Sequence, residues 1–161
     1  KRERTYSHSG IIFKDSNQFY VYHSMGGHEN PSGWLKKEPF DSFVSPIRKT
    51  GFGIFRYDFS EVELKKFHAF YDTLYIRKLP FDKHFNLLSN DSMYCSEIIY
   101  KGLKQSTHNR ITIAISSLTN FSPKNFRKKD RVLYFKKFDF IGLDDLYLNN
   151  HCKEIKRIVF K

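Results

Sequence analysis

The chain has 161 residues and a formal net charge of +11, from 28 Lys and Arg against 17 Asp and Glu. Hydrophobic residues make up 40% and aromatics 17%, including 17 Phe and 10 Tyr, which excludes disorder and fits a single domain over 1–161 with one core. No apolar run approaches the roughly 18 residues of a membrane span, so a soluble chain is expected. Two cysteines, Cys95 and Cys152, are too few for a disulfide scaffold and form no C-x-x-C metal pair; both are expected as free thiols.

The chain opens on Lys1-Arg2-Glu3-Arg4 with no signal peptide or initiator Met, as a trimmed mature fragment would, so the compartment stays open. Its positive surface is attracted to nucleic acid, anionic lipid or acidic polymers, or is simply solvated. The charges are spread along the chain, with one short cluster at Arg127-Lys128-Lys129, Arg131 and Lys136-Lys137.

In chain order, Ile11 to Phe13 follow a polar stretch and read as a strand, with Gly10 permitting a close approach. Asp15-Ser16-Asn17 is a turn, and Gln18 to His23 reads as the partner strand of a hairpin. That hairpin brings its two ends, His8 and His23, next to each other. Residues 24–39 read as a loop whose Trp34 is placed to border a cleft or to pack as an ordinary rim aromatic. Phe40 to Val44 suits a short helix or turn, and Phe52 to Tyr57 a strand.

Ser60 to Tyr75 is the clearest helix, with Ser60 and Glu63 as a capping box and Phe67, Phe70, Tyr71 and Leu74 on one face. His68 is expected at its surface. Leu79-Pro80-Phe81-Asp82 breaks the helix. Ile111 to Ile115 is strand or helix, and 116–130 is a polar connection. Leu133-Tyr134-Phe135 and Ile155 to Phe160 read as strands, with a turn at Asp144 to Tyr147. Strands with helices grouped between them favour an α+β fold.

The chemistry centres on Asn90 to Tyr100. Ser92 reads as an N-cap, and Ile98, Ile99 and Leu103 form the stripe that buries the helix. Cys95 then falls in the first turn, where unpaired amides stabilise a thiolate by roughly 0.3–1 kcal/mol. A small buried apolar residue is the alternative reading of the same cysteine. Thiol hydrolysis needs a thiolate, an imidazole and a third polar group, and Cys95, His8 and His23 supply these. The Cys95 amide is an oxyanion donor in that arrangement. Glu97 reads as structural, capping or pairing near the helix start.

Ser7-His8-Ser9-Gly10-Ile11-Ile12-Phe13 resembles the His-x-Gly-Ile strand of the circularly permuted papain-like cysteine hydrolases, the YiiX/YebB-like group related to NlpC-type peptidases. Tyr94-Cys95-Ser96-Glu97-Ile98-Ile99 is similar to that group's nucleophile segment, and Pro80-Phe81-Asp82-x-x-Phe85 to the motif that precedes it. These stretches cover roughly residues 6–105 in the permuted order, His first and Cys later. The resemblance implies an α+β, circularly permuted papain-like (NlpC-like) fold, an antiparallel sheet packed on a few helices. It also implies Cys95 as nucleophile at a helix N-terminus, His8 as base and His23 as third residue. Many members carry Glu at that third position, and a His there resembles the lecithin retinol acyltransferase-like branch. Tyr94 and Trp34 are the oxyanion and cleft candidates.

The resulting expectation is a cysteine hydrolase acting on an amide or acyl ester bond, with no cofactor. Its substrate would be a peptide, cell-wall or lipid-like molecule, an anionic one suiting the +11 charge. A bacterial, cell-envelope setting follows if a signal peptide was removed. The alternative is a non-enzymatic, basic, aromatic module for nucleic acid or an anionic surface, although no nucleic-acid motif is present. A zinc site from His23, His28 and Cys95 is disfavoured by ligand spacing, so no metal is expected.

Overall fold

The computed structural model describes residues 5–47, 49–118 and 138–161. The expected strand at Leu133-Tyr134-Phe135 and the basic cluster at 127–137 lie outside these residues. The chain is α+β, and among the described residues the strands gather in three small antiparallel sheets. β1 (Ile11–Asp15), β2 (Gln18–His23) and β3 (Lys36–Pro39) form the first, in that order. After the short helix α1 (Phe40–Phe43) comes β4 (Gly51–Tyr57), which pairs with the last strand, β7 (Cys152–Val159). Between them lie α2 (Glu61–Ile76), α3 (Cys95–Ser106), β5 (Ser116–Leu118), β6 (Phe138–Phe140) and α4 (Leu143–Tyr147), with β5 paired to β6.

Several boundaries differ from the sequence expectation. Part of the stretch read as a loop, 36–39, is β3, because its backbone completes the edge of β2 in the register Val21 to Glu38. Ile111 to Ile115 is neither strand nor helix, although Ile111 and Ile113 are buried among the core residues. The last strand begins at Cys152, and the expected turn at 144–147 is one turn of helix. His68 is half-buried, its ring stacked on Phe13 at 4.1 Å between centroids.

The core forms where α2 and α3 face the first sheet. α2 contributes Phe67, Tyr71 and Leu74. From α3 come Ile98, Ile99 and Leu103, and the hairpin adds Phe13 and Tyr22. Apolar residues at helical spacing on one face of each helix account for this burial. α2 starts as its sequence requires: Ser60 Oγ accepts from the Glu63 amide at 3.3 Å, and the Glu63 carboxylate accepts from the Ser60 amide at 2.8 Å.

Gly102 sets how closely the two helices approach. A methyl placed on its Cα would stand 2.7 Å from the ring of buried Phe67 and 3.1 Å from Phe70. Alanine normally favours a helix over glycine by about 1 kcal/mol, but overpacking costs roughly 1–3 kcal/mol. The clash should win here, because Phe67 is 1% exposed and has no free side to move into. We expect Gly102→Ala to lower stability in urea denaturation, and a gain in stability would mean that the helices are not held at this contact.

Candidate active site

The hairpin register carries two histidines to one place. Ile11 pairs with Tyr22, so the residues before β1 run beside the end of β2. At Gly10 the strands touch: an added Cβ would lie 2.5 Å from Val21 Cγ1 and 3.2 Å from His23 Cβ. Only glycine permits that approach. His8 Nε2 then sits 2.9 Å from His23 Nδ1, with the rings edge-on at 78°.

The relay continues to a residue that the sequence reading left in a loop. His23 Nε2 lies 2.8 Å from Glu38 Oε1 on β3, and Lys36 Nζ lies 3.4 Å from Glu38 Oε2. A carboxylate can only accept, so His23 carries its proton on Nε2 and leaves Nδ1 bare. The bare Nδ1 accepts from His8 Nε2–H. His8 therefore keeps a lone pair on Nδ1, and a neutral imidazole with a free acceptor nitrogen is a base. This tautomer assignment follows from the hydrogen-bond chain.

Both rings are held neutral. Burial lowers the His8 pKa to about 3, and the neighbouring His23 and Lys49 push it the same way. His23, 2% exposed, is also shifted down by burial, against the pull of Glu38. Beside the two rings lies a narrow crevice, lined also by Met25, Phe43 and Lys49.

Cys95 is the first residue of α3, but the cap is Tyr94 rather than Ser92. The helix starts there because the Glu97 carboxylate accepts from the Tyr94 amide at 3.2 Å, while Lys101 holds the other Glu97 oxygen at 2.7 Å. Glu97 thus has the structural role expected of it. The residues on either side of Cys95 grip one point of the distant chain. The Tyr94 hydroxyl accepts from the Ile141 amide at 2.9 Å, and the Ser96 hydroxyl donates to the Ile141 carbonyl at 2.6 Å. Ser24, directly after His23, donates to the Met93 carbonyl at 2.6 Å and ties the loop before α3 to β2.

The Phe-Asp-x-x-Phe segment also has a structural job. Asp82 is buried, and its carboxylate accepts from the amides of His84 and Asn86. The turn so formed puts Phe85 in the left-handed region, φ +53°, with its ring 4.8 Å from that of Tyr94. A bulky residue adopts that backbone only when its surroundings compel it.

The Cys95 thiol is shifted up, not down. Burial is the largest cause, and hydrogen bonds from the Ser9 hydroxyl, the Ser9 amide and the amides of Ser96 and Cys95 offset it only in part. The helix N-terminus does supply donors, as expected, but desolvation outweighs them. Cys95 and Cys152 are both free thiols.

Trp34 is 44% exposed, with Lys78 Nζ 4.5 Å over its ring, and it is not among the residues lining the crevice. The Tyr94 hydroxyl is occupied by Ile141. Glu38 is the side chain of this relay that sequence reasoning missed; it directly follows Lys36-Lys37 and precedes Pro39, a stretch without the pattern of a strand.

Comparison with protein-family models and with curated proteins gives no match. Among solved structures, the chain is similar to the metalloprotein YiiX from Escherichia coli O157:H7, with a TM-score of 0.73 and 18% identity. The likeness covers 96% of this chain and 84% of that one. This shows a YiiX-like fold. Among the described residues no group of three or more His, Cys, Asp or Glu side chains is placed to hold a metal ion, and both nitrogens of His23 are engaged, by His8 and by Glu38.

The neutral rings make stability depend on pH. The unfolded chain takes up protons near pH 6.5, whereas folded His8 resists them down to about pH 3. Stability is therefore full above about pH 6.5 and is lost as pH falls toward 3, by up to about 1.4 kcal/mol per pH unit for each such histidine. Urea denaturation at several pH values should show this slope, reduced in His8→Gln. An unchanged slope would show that His8 is not buried neutral.

Proposed function

We propose that the protein is a cysteine-dependent acyl hydrolase, with Cys95 as nucleophile, His8 as general base, His23 as the residue that orients His8, and Glu38 as the anchor of that relay. The observation that carries this reading is the Glu38–His23–His8 chain, which leaves the lone pair on His8 Nδ1. His8 is followed directly by Ser9, whose hydroxyl and amide are among the groups that hold the Cys95 thiol's pKa down against burial.

In the proposed reaction the Cys95 sulfur attacks an amide or ester carbonyl as its proton passes to His8 Nδ1. A C–S bond forms, and the carbonyl electron pair moves to oxygen, where the first-turn amides of Cys95 and Ser96 are donors. Collapse of the tetrahedral intermediate breaks the bond to the leaving group, which takes the proton from His8. Water, deprotonated by the same nitrogen, then attacks the thioester carbonyl; the C–S bond breaks, the acyl group leaves as the acid, and the Cys95 sulfur takes back the proton from His8. Glu38 stabilises the charge passing through the two imidazoles without itself taking a proton.

Because burial favours both thiol and neutral imidazole, proton transfer accompanies attack instead of preceding it. The permuted papain-like arrangement belongs to this reading, as does an acyl substrate that is a peptide, cell-wall or lipid-like molecule. The +11 charge favours an anionic one and predicts activity that falls with added salt.

The test is mass spectrometry of the intact protein after mixing with p-nitrophenyl acetate, following both the adduct and p-nitrophenolate. We expect transient acetylation of Cys95, none in Cys95→Ala, and a rate about 10²–10⁴-fold lower in His8→Ala. Glu38→Gln keeps an acceptor but loses the charge and should slow acylation about ten-fold. An adduct on Cys152 alone, or a Cys95 adduct formed equally fast without His8, would contradict the reading.

A further inference from the structure

Trp34 is held firmly by its backbone and yet left in solvent. The Phe81 amide donates to the Gly33 carbonyl at 2.6 Å, and the Leu35 amide donates to the Leu79 carbonyl at 2.7 Å. Buried Asn30 donates to the Trp34 carbonyl itself, also at 2.6 Å. The indole nevertheless stays exposed, with the Lys78 ammonium over one face. Across the bridge from Trp34 to Pro80 the chain runs into Phe81, whose ring lies 6.2 Å from that of exposed Phe85. Left-handed backbone at Lys78 and Phe85, φ +54° and +53°, fixes where these two side chains project. Ile76 and Leu88, before and after this run, are exposed as well.

Single exposed apolar residues need no explanation, but a contiguous group rimmed by one sign of charge marks a docking surface. From Thr73 to Asn90 the Lys and Arg residues are Arg77, Lys78 and Lys83, all exposed. The one acid in that stretch, Asp82, is buried and accepts from the amides of His84 and Asn86. The face is therefore complementary to an anionic partner, and its apolar residues decide which one. Ile76 and Leu88 have no ring to stack on a base, Lys78 covers one face of Trp34, and Phe85 lies against Tyr94. All four can enter the boundary between lipid headgroups and acyl chains.

We infer that the face formed by Trp34, Ile76, Lys78, Lys83, Phe85 and Leu88 docks the protein on an anionic lipid surface. The apolar side chains enter that boundary, and the cations meet the lipid phosphates. The docking stands whether or not Cys95 is a nucleophile. Under the hydrolase reading, the contact of Phe85 with Tyr94 sets the docked face beside the start of α3.

Trp34 is the single tryptophan of the chain, so its fluorescence reports from this face alone. At low salt we expect a blue shift of its emission with phosphatidylglycerol vesicles and none with phosphatidylcholine vesicles. Leu88→Ser should weaken partitioning about ten-fold, and Lys83→Gln about five-fold. Lys153→Gln, the same loss of charge on the β4–β7 ribbon, should stay close to the parent. No shift with phosphatidylglycerol, or cosedimentation with those vesicles at unchanged emission, would overturn the inference. An equal loss in Lys153→Gln and Lys83→Gln would do the same, since attraction would then follow net charge alone. Tighter binding of a single-stranded oligonucleotide, lost in the same two variants, would assign the face to nucleic acid instead. Binding is read without turnover, so its failure and the failure of acyl trapping are separate results.

Discussion

A carboxylate bonded to one imidazole decides where the proton of the next imidazole lies. Glu38 accepts from His23, His23 can then only accept from His8, and His8 is left with a bare nitrogen. Three side chains from three neighbouring strands or strand ends are enough to fix a chemical state. The arrangement depends on burial as much as on hydrogen bonds. With His23 at 2% exposure, water does not compete for its nitrogens, and the neutral form is favoured on each ring.

Cys95, the proposed nucleophile, is carried by a different part of the fold. Cys95 is 72 residues beyond His23, so its placement has to come from tertiary contacts. Ser24 joins the end of β2 to the residue two before Cys95, while Tyr94 and Ser96 hold Ile141 from either side of it. Behind them α3 is seated on α2 through Gly102 and Phe67. The proposed reaction would tolerate little slack between such separately held parts, since a displacement of about 1 Å is enough to cost a large factor in rate.

Local patterns were legible in the sequence wherever the physics was local. The β1–β2 hairpin, the capping box of Ser60 and Glu63, and the meeting of His8 with His23 all follow from turn residues and period. Glu38 was not legible, because Lys36-Lys37-Glu38-Pro39 has no apolar alternation and becomes a strand only by pairing with β2. Ser92 has the better intrinsic propensity for a cap, yet Tyr94 takes that place because Glu97 and Ile141 secure it. The thiol's shift was misjudged for a similar reason. A helix N-terminus can be read from residue types, but the burial that outweighs it depends on packing.

The protonation of the two rings is the point on which the account turns. It can be read directly from the nitrogen and proton shifts of the imidazoles in ¹⁵N-labelled protein at neutral pH. The account predicts Nε2–H on both His8 and His23, with Nδ1 unprotonated on each, and no titration of His8 on lowering the pH to 5. A proton on His8 Nδ1, or an imidazolium at pH 7, would contradict it.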